Sequence, residues 1–217
     1  MQLTPKQVLY GYSIGIFPMA HQDENNKIYW YEPEMRGIIP LNGLKISRSL
    51  KQTLRSKKYH VTFNRDFEKV IRACSRSSQG KERPSGNVWI SEEIISVYCE
   101  LHEMGYAFSF ETRNEYEELV GGLYGVAMGK AFFGESMFHL ERDASKVALV
   151  FLVQWLKANN FILLDTQFVT NHLRSLGAIE IAKEEYKKCW KKQLDNLKFI
   201  YLRFKISSKK NLVKQKS

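Results

Sequence analysis

The sequence predicts an α+β fold, a mixed, antiparallel-rich sheet flanked by helices, with a small N-terminal subdomain. Three observations carry this. YAFSFET, EELVGGLYGVAM and KAFFGESMF follow one another as strand-like segments, the last two joined at Gly129-Lys130 as a hairpin. Helical periodicity flanks them, in EEIISVYCELHEM before and ASKVALVFLVQWLK after. FILLDTQ then supplies a further strand, so strands and helices intermingle around one sheet.

Taken in order, Leu3 to about Pro40 is rich in aromatic, Gly and Pro signals, with His21 to Lys27 as a polar loop between two apolar pieces, and reads as a small lid or subdomain. LKISRSLKQTLRSKK follows as a basic helix, YHVTF as a strand, and DFEKVIRACS as a helix with Asp66 near its start. Ser75 to Asn87 is a polar loop. Ser91 suits the N-cap of the next helix, because its hydroxyl can accept an orphan amide proton while Glu92 and Glu93 suit the positive end of the helix dipole. Gly105 ends that helix and the three strands follow; Asp143 opens the apolar helix before FILLDTQ. TNHLRSL is a short helix closed by Gly177, KEEYKKCWKKQLDN a further helix, and KFIYLRFK a last strand. The division is 1–41 for the subdomain and 42–217 for the main domain, with about 207–217 as a disordered tail.

At 217 residues and 44% hydrophobic content the chain can bury one substantial core. Its first residues lack a basic stretch followed by an apolar one, and no apolar run approaches the ~20 residues that span a bilayer, so the expectation is a cytoplasmic protein without membrane contact. Cys74, Cys99 and Cys189 are odd in number and far apart, which suggests neither a disulfide framework nor a CxxC metal site. A net charge of +10 favours a polyanionic partner through phosphate contacts.

The chemistry is sought where polar groups stand in apolar strands. Glu135, Asp165 and Gln167 do so, and burying an unpaired polar group costs roughly 2 to 7 kcal/mol. Side chains alternate along a strand, so Asp165 and Gln167 share a face about 6.6 Å apart and could address one substrate. By the same rule Phe133, Glu135 and Met137 share a face. The competing reading pairs Glu135 with an Arg or Lys and leaves Asp165 to cap the next turn. Gly121, Gly122, Gly125 and Gly129 do not make a phosphate loop, because Tyr124 sits where GxxxxGK[ST] needs glycine and Ala131 follows Lys130. A bulge, a close ligand approach or tight packing explains them. His102-Glu103 is not an HExxH, since Tyr106 takes the last position, and Ser136 lacks the final glycine of GxSxG. No metal and no cofactor are implied. Trp89 and Tyr98 by themselves read as core. The basic helix, with Lys45, Arg48, Lys51, Arg55, Lys57 and Lys58, could track an RNA backbone or be a solvated face.

GIFPM, WYEP, ISRSL, VWI, LHEMGYAFSFE, LVGGLYGVAMGKAFFGESMF, DASK and LLDTQ with HLRSLGA together resemble the leucyl/phenylalanyl-tRNA–protein transferase family over nearly the whole chain. The resemblance implies an N-acetyltransferase-like core behind a small N-terminal domain. It implies transfer of Leu or Phe from aminoacyl-tRNA (Leu-tRNA, Phe-tRNA) to the N-terminal amine of acceptor proteins beginning with Arg or Lys, in the N-end-rule degradation pathway. The expected enzyme is a monomer. By similarity Asp165 and Gln167 match the family's DxQ pair, which would orient the attacking amine and help deprotonate it, and Glu135 matches the GESMF glutamate, which would hold the amine or the basic acceptor side chain. Trp89, Tyr98, Leu123, Met137 and Leu164 match the pocket and aminoacyl-end contacts; an apolar pocket separates near isosteres by only ~1 to 3 kcal/mol per methylene, so Met transfer is compatible with it. The pattern departs at Met19, where the family usually has Trp, at Leu123 for a common Met, and at His139 for a common Ser. Two rivals stand beside this reading: an acyl-CoA-dependent N-acyltransferase, for which no glycine-rich pyrophosphate loop is found, and a non-catalytic RNA-binding protein.

Overall fold

The computed structural model describes residues 2–76 and 89–194. The chain opens with α1 (Pro5–Ile14), which the sequence reading of the lid had not separated out. Its start is nonetheless written locally: Thr4 and Gln7 form a reciprocal capping box, Pro5 occupies the first turn, and Gly15 ends the helix at φ +90°. β1 (Phe17–His21) and β2 (Lys27–Tyr31) then form a two-stranded antiparallel sheet.

β3 (Met35–Ile38) leaves that hairpin and enters the main sheet. After it come α2 (Arg48–Arg55), β4 (His60–Phe63), α3 (Phe67–Ser75), α4 (Glu92–Glu103), β5 (Ala107–Arg113), β6 (Leu119–Met128), β7 (Ala131–His139), α5 (Ala144–Ala158) and β8 (Leu163–Gln167). A short α6 (Asn171–Ser175), β9 (Ile179–Ala182) and α7 (Lys183–Leu194) complete the described chain. The expected capping at Ser91 is present, its hydroxyl accepting from the Ile94 amide at 3.3 Å. β9 falls where no strand was expected. The anticipated last strand KFIYLRFK and the tail lie outside the described residues, as does most of the polar loop.

The seven strands run in the order β4-β5-β6-β7-β8-β3-β9. Every pairing is antiparallel except β7 with β8, which α5 connects as a crossover. The antiparallel-rich mixed sheet expected from sequence is therefore the observed one. β3, inside the 1–41 segment, lies between β8 and β9 in this sheet.

Each face of the sheet carries its own core. Tyr12 of α1, Val70 and Ile71 of α3, and Ile94 and Tyr98 of α4 pack with Tyr124, Val126 and Phe133 on one face. Ala148, Leu149, Leu152 and Leu156 of α5 pack with Phe110, Leu123, Phe132 and Leu164 on the other. α2 lies over α5 through Leu50, against Val147 and Val150. Two of the glycines let these layers close. A Cβ on Gly121 would stand 2.5 Å from the Ala144 Cβ, and one on Gly125 2.2 Å from the Phe133 carbonyl oxygen.

That second glycine sits at a β-bulge. Tyr124 pairs with Ser136 but Gly125 pairs with Gly134, so Glu135 is the extra residue in β7. The bulge reverses the alternation beyond it and corrects the expectation that Phe133, Glu135 and Met137 share a face. Phe133 belongs to the α1/α3/α4 side, whereas Met137 pairs with Leu123 and packs on the α5 side.

Candidate active site

β7 and β8 pair only as far as Phe133 with Asp165. β7 then continues to His139 past the bulge, while β8 continues to Gln167 and takes β3 as its partner. Glu135 and Gln167 thus face each other where the two strands part, on the side covered by α1 and α4.

Glu135 is held by three side chains. The Tyr12 hydroxyl lies 2.6 Å from Oε1, the Tyr98 hydroxyl 3.3 Å from Oε2, and the Gln167 amide donates to Oε1 at 3.3 Å. The two phenol oxygens are 2.7 Å apart. The two tyrosine hydrogens suffice for a chain in which Tyr98 donates to Tyr12 and Tyr12 donates to the carboxyl. Burial pushes the Glu135 pKa from 4.5 up to about 8, the Tyr12 hydrogen bond pulls it down, and the nearby Asp165 charge pushes it up. Burial together with Glu135 likewise raises Tyr12 and Tyr98 well above the ordinary phenol value. The residue as a whole keeps partial exposure while Tyr12 and Tyr98 have none, so Glu135 is the member of the trio that an incoming molecule can meet.

Asp165 is placed differently. It is fully buried; Arg36 Nε donates to Oδ1 at 3.1 Å and Oδ2 at 3.0 Å, and Arg36 Nη2 stands 2.9 Å from Oδ2. The Tyr186 hydroxyl donates to Oδ2, and the Gln167 backbone N–H donates to Oδ1 at 2.7 Å. Three hydrogens, from Arg36 Nε, the Tyr186 hydroxyl and the Gln167 amide, thus fall on its two oxygens, and the guanidinium charge lies against them. The competing reading of the sequence was therefore right that a carboxylate pairs with an arginine and braces a turn, but Asp165 does both. Glu135 has tyrosines instead.

Of the residues singled out in sequence, Glu135, Asp165, Gln167 and Tyr98 come together on one face. Trp89 is half-buried against the same core, and its carbonyl accepts from the Ala20 amide at 3.1 Å. Leu123, Met137 and Leu164 lie in the α5-side core, behind the sheet from Glu135. Tyr12, Arg36 and Tyr186 were not anticipated. For Arg36 a signal existed, an arginine within the apolar RGIIP run, but its partner lies 129 residues away. Among the described residues no three His, Cys, Asp or Glu side chains gather as metal ligands, and no helix is long and apolar enough to cross a membrane.

The family model described as "Leucyl/phenylalanyl-tRNA protein transferase" matches residues 38–191, and the model of that family's N-terminal domain matches 1–34. The chain is 49% identical over 186 residues to the leucyl/phenylalanyl-tRNA–protein transferase of Rhodopseudomonas palustris strain TIE-1, covering 86% of this chain and 80% of that one. It is 50% identical over 182 residues to the protein of the same name from Maricaulis maris, covering 84% and 82%. Among solved structures, L-PGS from Bacillus licheniformis superposes with a TM-score of 0.43 at 16% identity, over 80% of this chain and 56% of that one, too loosely to bear on the site.

Proposed function

Because this chain belongs to the leucyl/phenylalanyl-tRNA–protein transferase family, we propose that the parting of β7 and β8 is where a charged tRNA's aminoacyl ester meets the α-amine of an acceptor protein. The protein is an aminoacyl-tRNA–protein transferase, an acyltransferase. Its ester substrate is already activated, so the site has to position an amine, accept its proton and stabilise the tetrahedral oxyanion. In the step itself the amine nitrogen bonds to the ester carbon, the carbon to ribose-oxygen bond breaks, and the proton lost by the amine ends on the ribose oxygen.

Glu135 is the group that handles that proton, and the observation that carries the reading is its place: a partly exposed carboxyl where β7 and β8 part, within hydrogen-bond reach of the Gln167 amide. An α-amino group has an ordinary pKa of about 8. A carboxyl pushed up to about 8 exchanges a proton with such an amine almost without cost, which is the matched condition for general acid–base catalysis. Tyr12 and Tyr98 hold the carboxyl, and the Gln167 amide is the donor available to the developing oxyanion. The burial of Asp165 and its ion pair with Arg36 favour a role in orienting Gln167 over one as the base. Of the pocket residues expected by similarity, the half-buried Trp89 would flank the aminoacyl end on the α1/α4 side with the buried Tyr98 behind Glu135, whereas Leu123 and Leu164 are core on the α5 side and Met137 is partly exposed there.

The exposed Lys45, Arg48, Lys51, Arg55, Lys57 and Lys58 on and around α2 would contact the tRNA acceptor stem, mostly through phosphate and sugar. Acceptors beginning with Arg or Lys, a monomer working in the cytoplasm, and a small N-terminal unit over 1–41 complete this reading. The test incubates the purified protein with Leu-tRNA or Phe-tRNA and peptides starting with Arg, Lys or Ala, followed by mass measurement. Addition of one Leu or Phe to the Arg and Lys peptides alone is expected. Equal modification of the Ala peptide refutes the acceptor preference, and tRNA binding without transfer favours the RNA-binding rival.

A further inference from the structure

Gln167 has φ +57°, a left-handed conformation that a glutamine keeps only where its surroundings impose it. Two things impose it here. Its own N–H donates to Asp165 Oδ1 at 2.7 Å, and β3 presses on the turn from the other side. Gly37, the register partner of Gln167, comes so close that a Cβ there would stand 2.8 Å from the Phe168 carbonyl carbon and 2.8 Å from Thr166 Oγ1. The preceding residue on β3 is Arg36, 1% exposed.

The Arg36 guanidinium does more than neutralise Asp165. It lies between the rings of Phe17 and Tyr186, 4.6 and 4.9 Å from their centroids, and its Nη1 donates to the Gly15 carbonyl at 3.1 Å. It is therefore fixed by the end of α1, by β1 and by α7, and it in turn fixes both oxygens of Asp165. A buried ion pair is costly to desolvate and is often no more stabilising than apolar packing of the same volume, so fold stability is a poor reason for this one.

Building on the acyl-transfer reading above, we propose that Arg36 is a positioning residue of the transfer reaction: it sets the orientation of Asp165, which holds the turn at Gln167 and so aims the Gln167 amide at Glu135 and the reacting ester. Tyr186, donating to Asp165 Oδ2, is the second clamp.

The experiment measures single-turnover transfer from Leu-tRNA to an Arg-starting peptide, with circular dichroism melts of each variant. The variants are Arg36→Met, Arg36→Lys, Tyr186→Phe, Asp165→Asn and the Arg36→Met/Asp165→Asn pair. Misaiming a reacting group by about 1 Å costs on the order of 100-fold, so the Arg36→Met rate constant should fall by about that much while KM for Leu-tRNA stays within about threefold. Arg36→Lys should recover only part of the rate, since one ammonium cannot hold two oxygens as a planar fork does. In the double variant the loss should not exceed that of Asp165→Asn alone, because both act on one element. If Arg36→Met does not fold, Tyr186→Phe decides, with a rate constant about 3- to 10-fold lower at unchanged KM. A folded Arg36→Met or, in its place, Tyr186→Phe with the wild-type rate constant overturns the proposal. So does an effect confined to KM, or losses that multiply in the double variant. Failure of the wild type to transfer at all sinks the acyl-transfer reading instead.

Discussion

Glu135→Gln removes a carboxyl whose pKa burial raises to about 8, and the effect on stability has a definite sign and size. The folded state binds the Glu135 proton more tightly than the unfolded chain does. Between pH 4.5 and about 8, folding therefore takes up a proton and stability falls as pH rises. Below that window the carboxyl is neutral in both states and its contribution is fully present; above it the contribution is lost. At about 1.4 kcal/mol per pH unit, the rise to about 8 corresponds to on the order of 5 kcal/mol for a wholly dry carboxyl. Glu135 keeps partial exposure, and screening by water reduces this to ~2 to 3 kcal/mol. Gln fills the same space, stays neutral and can still accept from Tyr12. Urea unfolding of wild type and variant at about pH 5 and about pH 9, followed by far-UV circular dichroism, should show the variant gaining ~2 to 3 kcal/mol relative to wild type at the higher pH. The same substitution should abolish the rise in transfer rate through pH 8 that the proton-accepting role requires. Parallel stability profiles for the two proteins would refute the buried-proton argument.

Three other variants test separate parts of the structure. Asp165→Ala strands the buried Arg36 charge and should cost ~3 to 5 kcal/mol of unfolding free energy, read from the urea midpoint. Gly121→Val drives a side chain into Ala144, whose Cβ is already 2.5 Å from where the first added carbon would sit, and should destabilise by at least ~1 to 3 kcal/mol; an unchanged midpoint would mean that α5 is not seated on β6 as described. Replacing the exposed Arg48, Lys51 and Arg55 with Ala should weaken Leu-tRNA binding and flatten the slope of log affinity against log salt by about 2, whereas an unaltered slope would remove α2 from the tRNA interface.

Much of the framework was legible because its signals are local. Ser91 caps α4 through a residue three positions on, Gly129 turns the β6–β7 hairpin at φ +59°, and Gly105 and Gly177 end helices at φ +80° and +99°. α1 was equally legible, through the Thr4–Gln7 capping box and Pro5, but its ten residues were absorbed into an aromatic-rich lid. β9 was missed because IEIA is four residues long, mostly exposed, and is defined by pairing with β3.

By itself the sequence determined the mixed sheet, the family, and the suspicion that falls on Glu135, Asp165 and Gln167, polar residues whose apolar neighbours in the chain make their burial costly. Only the tertiary structure decided which donors surround each carboxyl. One extra residue at Glu135 turns Met137 to the opposite face, and strict alternation along a strand cannot reveal that without its partner's register. Tyr12 meets Glu135 across 123 residues and Arg36 meets Asp165 across 129. Those meetings surround Glu135 with tyrosine hydroxyls and clamp Asp165 with an arginine, since the acidity and freedom of a buried carboxyl depend on the donors packed around it, whatever their distance along the chain.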